Sequence, residues 1–97
     1  MILSFLNQGT EDVFNGKNTK QARKICPASI NRVAVRKLDQ INAAAILDDL
    51  RAPPNNRLES LAGDRLGQHS IRINDQYRIC FVWSDAGASQ VEIVDYH

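Results

Sequence analysis

Three β-prone segments close this 97-residue chain with gaps too short to hold a helix. Residues 68 to 74 alternate, with Ile71 and Ile73 on one face and Ser70, Arg72 and Asn74 on the other. Residues 77 to 83 are rich in aromatic and β-branched side chains, and residues 90 to 96 repeat that character. Asp75-Gln76 joins the first pair, and a turn containing Ala86-Gly87 joins the second. Parallel neighbours need a crossover of about a dozen residues or more, so these strands run antiparallel. Tyr77, Phe81 and Trp83 share one face of the middle strand, where core packing explains them.

Helical signals precede the strands. Residues 1 to 6 read as a short strand. Thr10 is placed as the N-cap of one or two helical turns over 10 to 14, with Gly16 just past their end. Residues 16 to 26 are polar and basic and read as a loop. Pro27 opens a longer helix in which Ile30, Val33, Ala34, Leu38 and Ile41 form one stripe, ended near Asn42. A second helical piece spans 43 to 50, and Pro53-Pro54-Asn55-Asn56 breaks it. Leu58 and Leu61 anchor a short extended segment, and 63 to 67 is a turn. The expected fold is α+β: a short N-terminal strand, then two to three helices packed on one face of a mainly antiparallel sheet of about four strands. The uncovered face is where polar strand residues gather.

This length places residues 1–97 in a single domain. The apolar runs are far too short to span a bilayer, and the first residues lack the pattern of a signal peptide. The expectation is a cytoplasmic protein with no membrane partner. Cys26 and Cys80 fit no metal-ligand spacing and read as reduced thiols. No metal site is expected, and no cofactor. Charge is uneven: positions 13 to 38 hold seven basic residues and no acid, so the acids all lie outside that stretch. Such asymmetry suits a polyanion or an acidic protein segment, and equally a solvated helix face.

The chain ends on Asp95-Tyr96-His97, a carboxylate, a phenol and an imidazole after an apolar run. Histidine titrates near neutral pH, and an adjacent Asp can fix its tautomer. Arg78, in the middle strand, has a forked guanidinium suited to a phosphate. A structural ion pair with Asp95 or Glu59 is the other reading of that arginine. His69 shares parity with Ile71 and Ile73, as a core or edge histidine would.

Arg57-Leu58-Glu59-Ser60-Leu61, Gly63-Asp64-Arg65, Gln68-His69-Ser70-Ile71-Arg72-Ile73, Gln76-Tyr77-Arg78-Ile79 and the terminal Asp95-Tyr96-His97 together resemble HigB-type toxins of the RelE/ParE superfamily. The resemblance implies a RelE-like fold and the toxin of a type II toxin–antitoxin system. It implies an endoribonuclease that cuts mRNA in the ribosomal A site and inhibits translation. It also implies a HigA-like helix-turn-helix antitoxin, through which the toxin reaches operator DNA indirectly. Metal-free RNA cleavage needs a base for the 2′-OH proton, a cation for the phosphate and an acid for the leaving oxygen. By resemblance Arg78 is the cation, His97 is acid or base, Asp95 orients it or is the base, and Tyr96 contacts a base or the phosphate.

Some HigB-type toxins carry a Lys-Leu-His-Pro-Leu-Lys-like segment where this chain has Arg57-Leu58-Glu59-Ser60-Leu61-Ala62. Glu59 then stands in the histidine's place. A carboxylate serves as base when burial or like charge raises its pKa, and Asp95 would supply such charge if the fold brought the two together. The candidate catalytic set is Arg78, Asp95, Tyr96, His97 and Glu59. The candidate RNA contacts are Arg72, Arg65, Arg57, Arg36 and Lys37. Two alternatives stay open: a ParE-like gyrase poison without catalysis, and a weakened toxin acting mainly as operon co-repressor.

Overall fold

The computed structural model describes residues 1–96. Three helices, α1 (Gln8–Phe14), α2 (Lys20–Ile25) and α3 (Asn31–Ala43), precede four strands, β1 (Glu59–Ser60), β2 (His69–Arg72), β3 (Tyr77–Ser84) and β4 (Gly87–Asp95). The strands form one antiparallel sheet in the order β1-β2-β3-β4. The α+β architecture expected from the sequence is therefore present.

Register sorts the strand residues between the two faces. Ile71, Ile79 and Ile93 stand side by side on β2, β3 and β4 and are buried among the helices. α3 brings its stripe of Ala34, Leu38 and Ile41 into the same core, with Val33 and Ile30 half-buried beside it. One residue along, Arg72, Arg78 and Val94 form a row that period-two alternation turns to the opposite face, with Glu59, Ser70, Cys80 and Glu92 in the next such row. The helices cover the first face only, so the polar residues gather on the second.

β4 lies at the edge of the sheet, and its outer hydrogen-bonding groups are occupied. The N-terminal segment makes two parallel bridges to it, Ile2 with Ala88 and Phe5 with Val91, rather than the regular strand expected over 1 to 6. Gln90, at φ 52°, is the extra residue of a bulge opposite Phe81, and its N–H donates to the Ser4 hydroxyl. Thr10 continues the cover: its buried hydroxyl accepts from Ile93 N at 3.1 Å. An edge closed in this way offers no template for another strand. Gly87 is needed here, because a Cβ would lie 2.2 Å from the Met1 carbonyl oxygen at φ +137°.

Several helical boundaries differ from the sequence reading: Pro27 is followed by a 3-10 turn, Ala28–Ile30, and α3 begins only at Asn31. Asn7, not Thr10, caps α1, its side chain accepting from Thr10 N at 2.8 Å. Residues 16 to 26, read as a loop, contain α2, whose N-cap is Thr19. The Thr19 hydroxyl accepts from Ala22 N and donates to Asp12 at 2.6 Å, which joins the two helices. In place of the second helical piece read over 43 to 50, the chain forms the 3-10 turn Leu47–Arg51, and a further 3-10 turn, Pro54–Asn56, starts at the second proline.

Among the described residues no helix is long and apolar enough to cross a membrane.

Candidate active site

Arg78 is the centre of the open face. Its residue is 9% exposed, a rare position for a guanidinium, and its donors are held individually. Nε donates to the Ser70 hydroxyl on β2 at 2.8 Å. One terminal nitrogen donates to the Arg57 carbonyl at 2.7 Å. That carbonyl is aimed by Arg57's left-handed backbone, φ 47° and ψ 57°, at the end of the 3-10 turn Pro54–Asn56. The carboxylate of Glu59, one of the two ion-pair partners considered for Arg78, lies 3.9 Å from the guanidinium.

The Tyr96 ring lies over Arg78, 6.0 Å from guanidinium carbon to centroid. Tyr96 is held there because its N–H donates to the Gln76 carbonyl at 2.7 Å, continuing the β3–β4 pairing one residue beyond the strand. A pocket of about 340 Å³ opens in front of these groups, lined by Arg57, Glu59, Arg72, Asn74, Asp75, Arg78 and Tyr96. Three arginines and two carboxylates around one open cavity suit a phosphodiester with a proton acceptor beside it.

Glu59 and Asp95 are not brought together. Glu59 is on β1 and Asp95 on β4, at opposite edges of the sheet and separated by β2 and β3. Three strand spacings are roughly 14 Å. Glu59 is moreover exposed, so neither of the two conditions imagined for it surrounds it. Asp95 accepts from the Gln76 side chain at 3.1 Å. His97 lies outside the described residues.

Over residues 3–97 the sequence matches the HigB-like toxin family, the RelE-like toxin of the type II toxin–antitoxin system HigB. It is 42% identical over 88 residues to Toxin HigB-1 of Vibrio cholerae serotype O1, an alignment covering 91% of this chain and 90% of that one. The chain belongs to the HigB-like toxin family. A Haemophilus influenzae protein is 41% identical to this HigB-like toxin over 59 residues, 61% of this chain and 58% of the relative. The YoeB–YefM complex from Staphylococcus aureus contains a chain that superimposes with a TM-score of 0.58, covering 100% of the toxin and 98% of that chain. At 13% identity this likeness concerns the fold alone.

The expected RNA contacts of the toxin fall in different places. Arg57 and Arg72 line the Arg78 pocket. Arg65 does not: it donates to Glu92 at 2.8 Å and to Gln68 at 3.1 Å, and the Glu92 hydrogen bond raises its pKa. Cys80, buried on the same face, has its thiol pushed up by burial, with Arg65 and Arg78 pulling the other way. Arg36 and Lys37 line a neighbouring groove. Arg36 is exposed, whereas Lys37 is buried with its ammonium on the Asn56 carbonyl oxygen. His69 takes the sheet role: Nδ1 lies 3.3 Å from the Ser60 hydroxyl and the ring packs 6.1 Å from Phe81.

Ser70 and the Arg57 carbonyl were not singled out as site groups by the sequence reading. Alternation did place Ser70 on the face of Arg72, which is the signal that could have found it. Nothing local in the sequence marks the Arg57 carbonyl.

Among the described residues no group of three or more His, Cys, Asp or Glu could hold a metal ion.

Proposed function

We propose that this toxin is an endoribonuclease that cuts mRNA on the ribosome, and so acts in the cytoplasm, without a metal. The single observation that carries the reading is the immobilised Arg78 at the wall of an open pocket with Glu59 3.9 Å away. In this reading the scissile phosphate sits against Arg78 and Arg72. The ribose 2′-oxygen attacks phosphorus as Glu59, a weaker base for being exposed and remote from Asp95, takes its proton, and the bond to the 5′-oxygen breaks. The products are a 2′,3′-cyclic phosphate and a 5′-hydroxyl. Arg78 stabilises the charge that accumulates on the phosphoryl oxygens, and its preset hydrogen bonds remove the cost of orienting it during the reaction. His97 protonates the leaving oxygen and Asp95 supports it, roles assigned by likeness to the family. Tyr96 stacks on a nucleobase or hydrogen-bonds the phosphate.

An antitoxin neutralises the toxin. Membership of a type II family supports that partner, and the structural neighbour was itself solved as a complex. A HigA-like helix-turn-helix protein, which would also carry the toxin to operator DNA, is the partner proposed.

The test is a primer-extension map of mRNA from cells induced for the wild-type toxin, Arg78→Ala or His97→Ala. In-frame cuts in the wild type that vanish in both variants are expected. Growth arrest with intact mRNA, accompanied by inhibited supercoiling with purified gyrase, would overturn the proposal.

A further inference from the structure

The Arg78 pocket does not end at its own rim. A second, larger groove of about 850 Å³ lies between α3 and the turn at residues 53–55. Arg72 and Asn74 line both cavities, so the two adjoin at the end of β2. Arg36 stands exposed on the α3 wall of the groove, with Pro53 and Pro54 opposite. No acidic residue is among the described residues lining the groove, although acids make up 11 of the 97 in the chain.

The opposite wall is braced from inside. Asn56 donates to the Leu50 carbonyl and to Gln40 Oε1, each at 3.1 Å, and accepts from buried Lys37. α3 and the turn are thus fixed to each other by Lys37, Gln40 and Asn56, and the groove is held open rather than formed on contact. A preset cationic groove adjoining a phosphate pocket matches an extended polyanion, since backbone phosphates recur along it and need no sequence readout.

We propose that the RNA strand on one side of the scissile phosphate runs from the Arg78 pocket over Arg72 and Asn74 into the α3 groove, where Arg36 takes a backbone phosphate. The inference rests on the cleavage reading for its substrate class. It distinguishes this track from the other basic surface, on α2, which packs on α1 and touches β4 and lines neither of these two cavities.

The test uses the full-length toxin and RNA oligonucleotides made uncleavable by a 2′-deoxy substitution at each ribose preceding a scissile bond. Affinity is read by fluorescence anisotropy for strands of roughly four and roughly ten nucleotides, at several salt concentrations. Wild type should bind the longer strand more tightly. Arg36→Glu should bind the short strand as wild type does, lose about tenfold for the long one, and lower the salt slope by about one. Arg23→Glu, on α2, should leave both affinities unchanged. Equal affinities for wild type and Arg36→Glu at both lengths would overturn the track. Equal losses in Arg36→Glu and Arg23→Glu would also overturn it, as a general charge effect. Unchanged RNA binding with lost neutralisation by the antitoxin would reassign the groove to a protein. The measurement needs no cleavage, so a toxin that binds by length but cuts nothing would refute the nuclease reading and leave the track standing.

Discussion

Ser70 stands directly behind Arg78, its hydroxyl 2.8 Å from Nε, and both side chains are buried between β2 and the neighbouring strand. The pair is a positioning device: Ser70 touches no substrate, yet it fixes the plane of the guanidinium. Ser70→Ala leaves a buried charged donor without its acceptor, and hydrogen bonds to charged groups are worth about 1.5–3 kcal/mol. On ribosomes programmed with a single mRNA, kcat should fall about 10- to 100-fold with KM little changed. Ser70→Thr, which keeps the oxygen, should retain more activity than Ser70→Ala. A folded Ser70→Ala toxin with wild-type kcat would show that Arg78 does not depend on it.

Asp75 lines the Arg78 pocket and forms an ion pair with Arg72, which lines both cavities. Its side chain is 97% exposed, so the pair contributes little to stability, but its charge opposes an arriving phosphate. Asp75→Asn should therefore strengthen binding of uncleavable RNA about two- to fivefold in dilute buffer, consistent with an exposed charge interaction. The gain should fade near 1 M salt, where the screening length is about 3 Å. A variant that binds RNA no better in dilute buffer would mean that Arg72 is not a phosphate contact.

The parts of the fold that could be read from the sequence are those with strong periodicity. The stripe on α3 and the alternation at Ile71 and Ile73 gave the two layers. α2 escaped because Ala22 and Ile25 are its only apolar residues, too few for a periodic signal, while Thr19 before Lys-Gln-Ala-Arg-Lys was a legible cap. The N-cap at Asn7 was missed because Thr10 has the same chemistry, and only the tertiary contact to Ile93 N shows what Thr10 does instead. The separation of Glu59 from Asp95 is a matter of strand order, which local sequence does not carry. The groove beside α3 depends on Lys37 turning inward to Asn56, against the general preference of lysine for solvent.

Asp12 links α1 to the cap of α2, and its protonation should weaken that link. The Thr19 hydroxyl, then the Gln8 amide, hydrogen-bond the carboxylate and hold its pKa below the usual value, with Lys17 helping and burial opposing. A carboxyl with a depressed folded pKa binds fewer protons folded than unfolded, so the stability it provides is present above an unfolded pKa of about 3.9 and is lost as pH falls through the folded value. Denaturant titrations should show Asp12→Asn less stable than wild type at pH 7, with the gap narrowing below about pH 4. A gap that is constant from pH 7 to acid would place the effect in packing instead of charge.

Lys37 and Asn56 provide the last prediction, because they tie the integrity of the groove to a buried ammonium. Burial, with Arg36 adding to it, lowers the pKa of Lys37, so the charged form already lies at a disadvantage when the protein folds. Asn56 offsets this by accepting from the ammonium while its amide holds the Leu50 carbonyl. Asn56→Ala removes the acceptor and leaves the charge, which should cost about 3 kcal/mol or more in urea unfolding. The second substitution Lys37→Met removes the charge and keeps much of the volume, so the double variant should recover part of that loss. Because the folded pKa of Lys37 is depressed, the single variant should also regain stability as pH rises toward the unfolded value of about 10.4, and the double variant should not. Identical pH dependence in the two would mean that the ammonium is not what Asn56 stabilises.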